Sequence, residues 1–162
     1  MGSDIELREL SFASLSEVVP EARRLMEQGY RKQGKWDLAQ VCGHLEDWMR
    51  FPVEGFPKPG FPVNFMLWLM KKTLGKRMIR KILEQQAMGN NAPTMPQTVK
   101  AAGEISDEKA VETLEQAVNQ FMNHSGEYHE SPLFGKLSRE DATRLQLIHC
   151  AHHLAYLVPN AN

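Results

Sequence analysis

Residues 36–48, Trp36-Asp37-Leu38-Ala39-Gln40-Val41-Cys42-Gly43-His44-Leu45-Glu46-Asp47-Trp48, read as the opening of a helix. Asp37 and Gln40 have the spacing of a capping box, in which each side chain answers the other residue's backbone N–H. Leu38, Val41, Leu45 and Trp48 then recur at intervals of 3, 4 and 3, which is one apolar stripe of an amphipathic helix. The pattern predicts a helix over residues 37–50, with Pro52 as its end because the residue before a proline avoids helical backbone angles.

Working outward, the same periodicity returns four times. Residues 15–29 carry Val18, Ala22, Leu25 and Met26 on one stripe, with Ser14 or Ser16 as cap and Gly29 as stop signal. Residues 63–87 read as a helix that is apolar first and basic afterwards, with Lys71, Lys72, Lys76, Arg77, Arg80 and Lys81 close together. Residues 107–123 present Val111, Leu114, Val118, Phe121 and Met122 behind Ser106 as cap. The last helix opens on Ser138-Arg139-Glu140-Asp141 as a second capping box, runs to residue 157 and is closed by Pro159. Between these lie a loop at residues 51–62 with four prolines, two glycines and aromatic anchors, and a Gly/Asn/Pro-rich loop at residues 88–103. Strand-like alternation is nearly absent and no internal repeat is visible. The expected fold is all-α: a four-helix bundle with an additional helix, long Pro/Gly-rich loops and at least one crossover.

A chain of 162 residues matches one ordinary core, so residues 1–162 are expected to form a single domain. With 42% hydrophobic and 24% charged residues it has a globular rather than a disordered composition. Nineteen basic against twenty acidic residues give a net charge of −1, which argues against nucleic-acid and membrane partners. Two cysteines are too few for a disulfide framework, and the acidic start Met1-Gly2-Ser3-Asp4-Ile5-Glu6 lacks the features of a signal peptide, so the expected compartment is the cytoplasm. The longest apolar run, residues 65–70, is far short of the roughly 20 residues that span a bilayer. The basic stretch after it reads as a solvated helix face; the alternative is peripheral association with anionic membranes, which would be salt-dependent.

Chemistry concentrates in His149-Cys150-Ala151-His152-His153. At about 100° per residue, His149 and His153 lie about 40° apart on the helix and His149 and His152 about 60°, so either pair can converge on one point. Leu147, Ile148, Ala151, Leu154 and Ala155 occupy the rest of the circumference, which turns the histidines toward a bundle interior. Neutral imidazoles gathered there can share a metal ion. His44, at the edge of the second helix's apolar stripe, is the natural third ligand, with His129 in reserve. Three histidines leave one coordination position open, the pattern of catalytic rather than structural zinc. Satisfied core histidines are the plainer reading of the same spacing. Cys42 and Cys150 face other directions and read as small buried side chains, and Tyr156 as a core tyrosine. Phosphate loops, nucleophile elbows, His-Glu-x-x-His helices and Cys-x-x-Cys pairs are missing from the sequence.

Trp36-Asp-Leu-Ala-Gln-Val-Cys-Gly-His44-Leu resembles the second-helix signature of the DinB-like superfamily, and His149-Cys-Ala-His-His153-Leu resembles its C-terminal His-x-x-x-His helix. Ser131-Pro-Leu-Phe-Gly-Lys-Leu-Ser-Arg-Glu140 is similar to one branch of that superfamily without an assigned function. The resemblance implies an up-down-down-up four-helix bundle, frequent homodimerisation and a divalent metal on His44, His149 and His153, with His152 adjacent but not coordinating. It also implies a metalloenzyme class that includes thiol-dependent transferases and isomerases using bacillithiol, mycothiol or glutathione, and metal-dependent hydrolases. After His153, Leu154-Ala155-Tyr156 replaces the frequent Arg-Gly-Gln. The resulting expectation is a metal-dependent enzyme that activates water or a low-molecular-weight thiol against a small-molecule substrate. Zinc, nickel, iron and manganese all accept imidazole and are not distinguished. The alternative is a non-catalytic metal- or ligand-binding module that acts through dimerisation.

Overall fold

The N-terminal end of the second helix organises the structure, because three of its exposed backbone donors are met from three different parts of the chain. The computed structural model describes residues 7–89 and 94–161; the acidic start and four residues of the 88–103 loop fall outside the described residues. Asp37 accepts from the Gln40 N–H at 2.8 Å while the Gln40 side chain accepts from the Asp37 N–H at 3.1 Å, the full capping box. The Leu38 N–H donates to the Tyr30 hydroxyl and the Ala39 N–H to Asp107. Tyr30 in turn donates to Asp107, so the helix start is tied to segments on either side of it in sequence.

In chain order the elements are a 3₁₀ turn Leu15–Glu17, α1 Val18–Gln28, β1 Tyr30–Lys32, α2 Leu38–Glu54, α3 Val63–Met70, a π-turn Lys71–Gly75, α4 Lys76–Gln85, a 3₁₀ turn Pro96–Thr98, α5 Asp107–Asn123, α6 Arg139–Leu154 and β2 Leu157–Pro159. The chain is mainly helical, as expected. α2 and α5 form the most extensive helix pair, α1 packs against both, and α6 closes on α2. Val18, Leu25, Leu38, Leu45, Leu114, Phe121 and Leu154 fill the core between them. A second small cluster of Ile79, Leu83 and Phe134 joins α4 to the turn before α6. Ser14, Ser106 and Ser138 cap the 3₁₀ turn, α5 and α6 through their hydroxyl oxygens. Among the described residues no helix is long and apolar enough to cross a membrane.

Several boundaries differ from the sequence reading for physical reasons. Pro52 sits inside α2 rather than ending it. A proline leaves the carbonyl four residues earlier without its helical donor, and here that carbonyl, Trp48 O, accepts from the Gln146 side chain of α6 at 2.7 Å. The helix stops instead at Gly55, whose φ of 110° is open to glycine. The single helix expected over residues 63–87 is interrupted by the π-turn and ends at Gln86 in the left-handed region. At Gly75 in that turn, a Cβ would lie 2.1 Å from the Leu133 carbonyl oxygen, so only glycine admits the segment 131–135. α6 ends at Leu154 instead of running on to residue 157, and residues 157–159 pair antiparallel with β1, in register Tyr30↔Pro159 and Lys32↔Leu157. Met122 lies off the buried face of α5, and Phe61 is 83% exposed rather than an anchor of its loop. Phe51 and Phe56 do anchor, edge-on to Trp48.

Candidate metal centre

α2 brings His44 and α6 brings His149 and His153 to one place, where one ring nitrogen from each lies within 4.8 Å of the others. His44 and His149 are 2% and 6% exposed, and His153 is half-buried. The Nε2 atoms of His44 and His149 are 3.1 Å apart. Zn–N bonds of about 2.0–2.1 Å place neighbouring tetrahedral nitrogens roughly 3.3 Å apart, so this spacing suits two ligands of one ion. The three histidines are positioned to hold a metal ion. Among the described residues no carboxylate or thiol joins them.

The tautomer of His44 follows from its neighbours. Thr98 Oγ1 lies 2.8 Å from the Met95 carbonyl oxygen, which can only accept, so the single hydroxyl proton is committed there. Nδ1 of His44, 2.9 Å from the same hydroxyl, must therefore donate to it. Nε2 of His44 is left with a lone pair, aimed at His149. Nε2 of His149, 3.1 Å away, meets that lone pair either by donating its own proton or, when that nitrogen is unprotonated, through a cation held between the two rings. A hydrogen bond to the far ring nitrogen is how metal-binding histidines are usually oriented.

The local fold explains why Thr98 can reach His44. Gly43 precedes the histidine, and a Cβ there would lie 2.7 Å from the Lys100 side chain. The segment after the 3₁₀ turn therefore lies flat on α2, held by Gln40 Nε2 donating to the Lys100 carbonyl and by the 2.8 Å Lys100–Asp47 ion pair. Aromatic walls fix the other rings. Trp36 stacks on His153 at 5.5 Å and 14°, and Trp48 meets His44 and His149 at a steep angle. The Gln146 to Trp48 carbonyl bond clamps α6 to α2 beside the site.

Burial sets the electrostatics. Loss of hydration holds His44 down to about 4 and His153 to about 2, keeps His149 well below the usual histidine value and lowers His152. All three converging rings are thus neutral at pH 7, the state a metal requires. Burial pushes the thiols of Cys42 and Cys150 upward, so both are neutral, buried side chains as expected.

A cavity of about 270 Å³ opens onto the histidines. Its walls are largely apolar, from Val41, Met78, Ile82, Leu133, Phe134 and Leu145, with Lys35, Gln146, His152 and Tyr156 as polar members. His152 lies beside the triad, edge-on to His153 and Tyr156, and is not among the converging nitrogens. His129 is exposed and stands apart, as does His124, which faces the Glu127 carbonyl. Sequence reasoning did not find Thr98, Gln146 or Phe134 as parts of the site. Gly43 beside His44 is a local signal that could have pointed to a close approach, but it does not say which segment makes it.

A family model described as protein of unknown function (DUF1569) matches residues 4–160 of the chain. No curated protein and no solved structure matches.

Proposed function

The chain belongs to the family described as protein of unknown function (DUF1569), and from that premise we propose that it is a divalent-metal-dependent enzyme of the DinB-like superfamily, built on that superfamily's four-helix bundle. The observation that carries the reading is the directed lone pair of His44, set by Thr98 and opposed by His149 at 3.1 Å. His153 brings a third ring nitrogen to the same point, which a hydrogen-bonded histidine pair alone does not require. His44, His149 and His153 would hold the ion. A divalent ion bound by three imidazoles supplies Lewis acidity at its open position, lowering the pKa of water or a thiol there.

The remaining work falls to this chain's own residues. The apolar walls of the cavity exclude water and accept the hydrocarbon body of a small substrate. Among the described residues lining it there is no carboxylate, so proton movement falls to His152, half-buried and with its pKa lowered by burial, and to the Tyr156 hydroxyl. Lys35 is the one formal cation in that lining and suits an anionic group, such as the carboxylate of a low-molecular-weight thiol.

The test is turnover. Metal-loaded protein is assayed for glutathione-, bacillithiol- and mycothiol-dependent transfer to electrophilic substrates and for ester and amide hydrolysis. The expected result is an activity removed by chelation, restored by metal and missing from His153→Ala. Tight metal binding without any such turnover would leave the non-catalytic binding module as the better account.

A further inference from the structure

α3 stands apart from the rest of the molecule. Its sequence, Val63-Asn-Phe-Met-Leu-Trp-Leu-Met70, is the most apolar of any helix in the chain, and none of its residues is buried. Phe65, Trp68 and Leu69 follow each other at helical spacing and are each about half exposed, with Met66 beside them, Phe61 before and Leu74 after. The Phe65 and Trp68 rings lie side by side, 5.9 Å apart. The main neighbour of the helix is the π-turn that follows it. A contiguous exposed patch of this kind marks an interaction surface.

The charge next to it says what covers it. Between residues 55 and 83 the chain has seven basic residues and no acidic one, which leaves twelve basic against twenty acidic for the rest of a nearly neutral chain. Lys72, Lys76, Arg77, Arg80 and Lys81 are exposed, and none forms an ion pair with a described residue. α4 buries Ile79 and Leu83 against α6 and the Phe134 turn, so its cations are held on the outer side by packing. An apolar helix followed by a ring of cations is the combination that interfacial helices present to anionic bilayers. A two-fold pair of copies meeting through this face would instead place one cluster of cations against an identical one.

We propose that α3, the π-turn and α4 form a docking surface for anionic membranes, with the Phe65, Trp68 and Leu69 side chains entering the headgroup region and the cations of α4 meeting lipid phosphates and carboxylates. Among the described residues no helix is long and apolar enough to cross the bilayer, so the protein would lie on it. The overall charge of −1 conceals this because most of the acids lie outside residues 55–83; Glu84, Glu130 and Asp141 share a groove with Lys72, Lys76 and Arg80 and leave the cations in excess there.

Co-sedimentation with vesicles of equimolar phosphatidylcholine and phosphatidylserine, against vesicles of phosphatidylcholine alone, tests the proposal. Binding is expected only to the anionic vesicles and should weaken as salt screens the charges. Each neutralised cation should reduce partitioning about five-fold, so Lys76→Gln with Arg80→Gln should reduce it about twenty-five-fold. Phe65→Ser with Trp68→Ser should abolish binding, and because α3 buries nothing the double variant should keep its wild-type circular dichroism. The proposal fails if the wild type does not sediment with anionic vesicles in low salt, or if the double serine variant binds as well as wild type. It also fails if sedimentation equilibrium shows a dimer that the same variant converts to monomer, since the face would then be covered by a second copy.

Discussion

α6, with seven apolar residues of sixteen, and α3, with seven of eight, end in opposite situations. Ala142, Cys150, Ala151 and Leu154 of α6 are buried, and its Gln146 and His149 find partners on α2. Seven of the eight residues of α3 are apolar, and none is buried. Apolar content alone therefore does not decide position; what decides is whether a neighbouring element offers a matching face and the polar bonds to hold it. α2 offers both to α6, through the free Trp48 carbonyl and the His44 ring. Among the described residues the main neighbour of α3 is the π-turn that follows it, and no helix offers it such a face.

The contrast predicts a wide gap in the response to mutation. Phe121→Ala, in the α5 core where the ring is 1% exposed and stacked on Tyr128 at 4.6 Å, should cost about 3–5 kcal/mol in denaturant unfolding. A loss comparable to that of a surface substitution would mean that the closed half is looser than described.

Acid should act next, and only on the closed half. His44, His149 and His153 have pKa values below that of an unfolded histidine, so between these values and about 6.5 the unfolded chain binds more protons. In chelator, stability should be constant above about pH 6.5 and fall as the pH drops below it, by up to about 1.4 kcal/mol per pH unit for each ring held neutral. Thermal unfolding across pH 7.5 to about 5 checks this. A melting temperature that rises on acidification would contradict the burial of neutral rings.

Thr98→Val keeps the shape of the side chain and removes the acceptor for His44 Nδ1. Metal affinity should fall about 10–100-fold in a competition titration, with stoichiometry unchanged. Unchanged affinity would mean that Thr98 does not orient the ring. The smallest effect belongs to the open half: Trp68→Ser should alter folding stability by no more than about 0.5 kcal/mol, even where it removes vesicle binding. A larger loss would show that α3 packs on the fold after all.

These differences also mark what can be read from the sequence. The capping box at Asp37 and Gln40, the extent of α5 and the convergence of His149 with His153 are local, set by spacings of three or four residues, and they were legible. The resemblance to the DinB-like superfamily favoured His153 over His152, and the geometry brings His153 into the cluster. What depends on distant partners was not legible. Pro52 is tolerated because of a glutamine whose sequence separation from the Trp48 carbonyl is 98 residues, and the His44 tautomer depends on a threonine 54 residues away. The short β1–β2 pair joins residues near opposite ends of the chain, and neither strand carries enough alternation to announce itself. The exposure of α3 was legible only as an alternative, peripheral membrane association through residues 65–70 and the basic turns after them, because a short apolar run does not say whether another element packs on it.

The central claim is that His44, His149 and His153 form one metal site, and metal content measures it most directly. Untagged protein purified without chelator, alongside His44→Ala and His153→Ala, should be measured by elemental analysis together with circular dichroism of each variant. The account predicts about one divalent ion per wild-type chain and none in either folded variant. A wild-type protein that stays free of metal after incubation with zinc, nickel, iron and manganese, or folded variants that keep the ion, would contradict it.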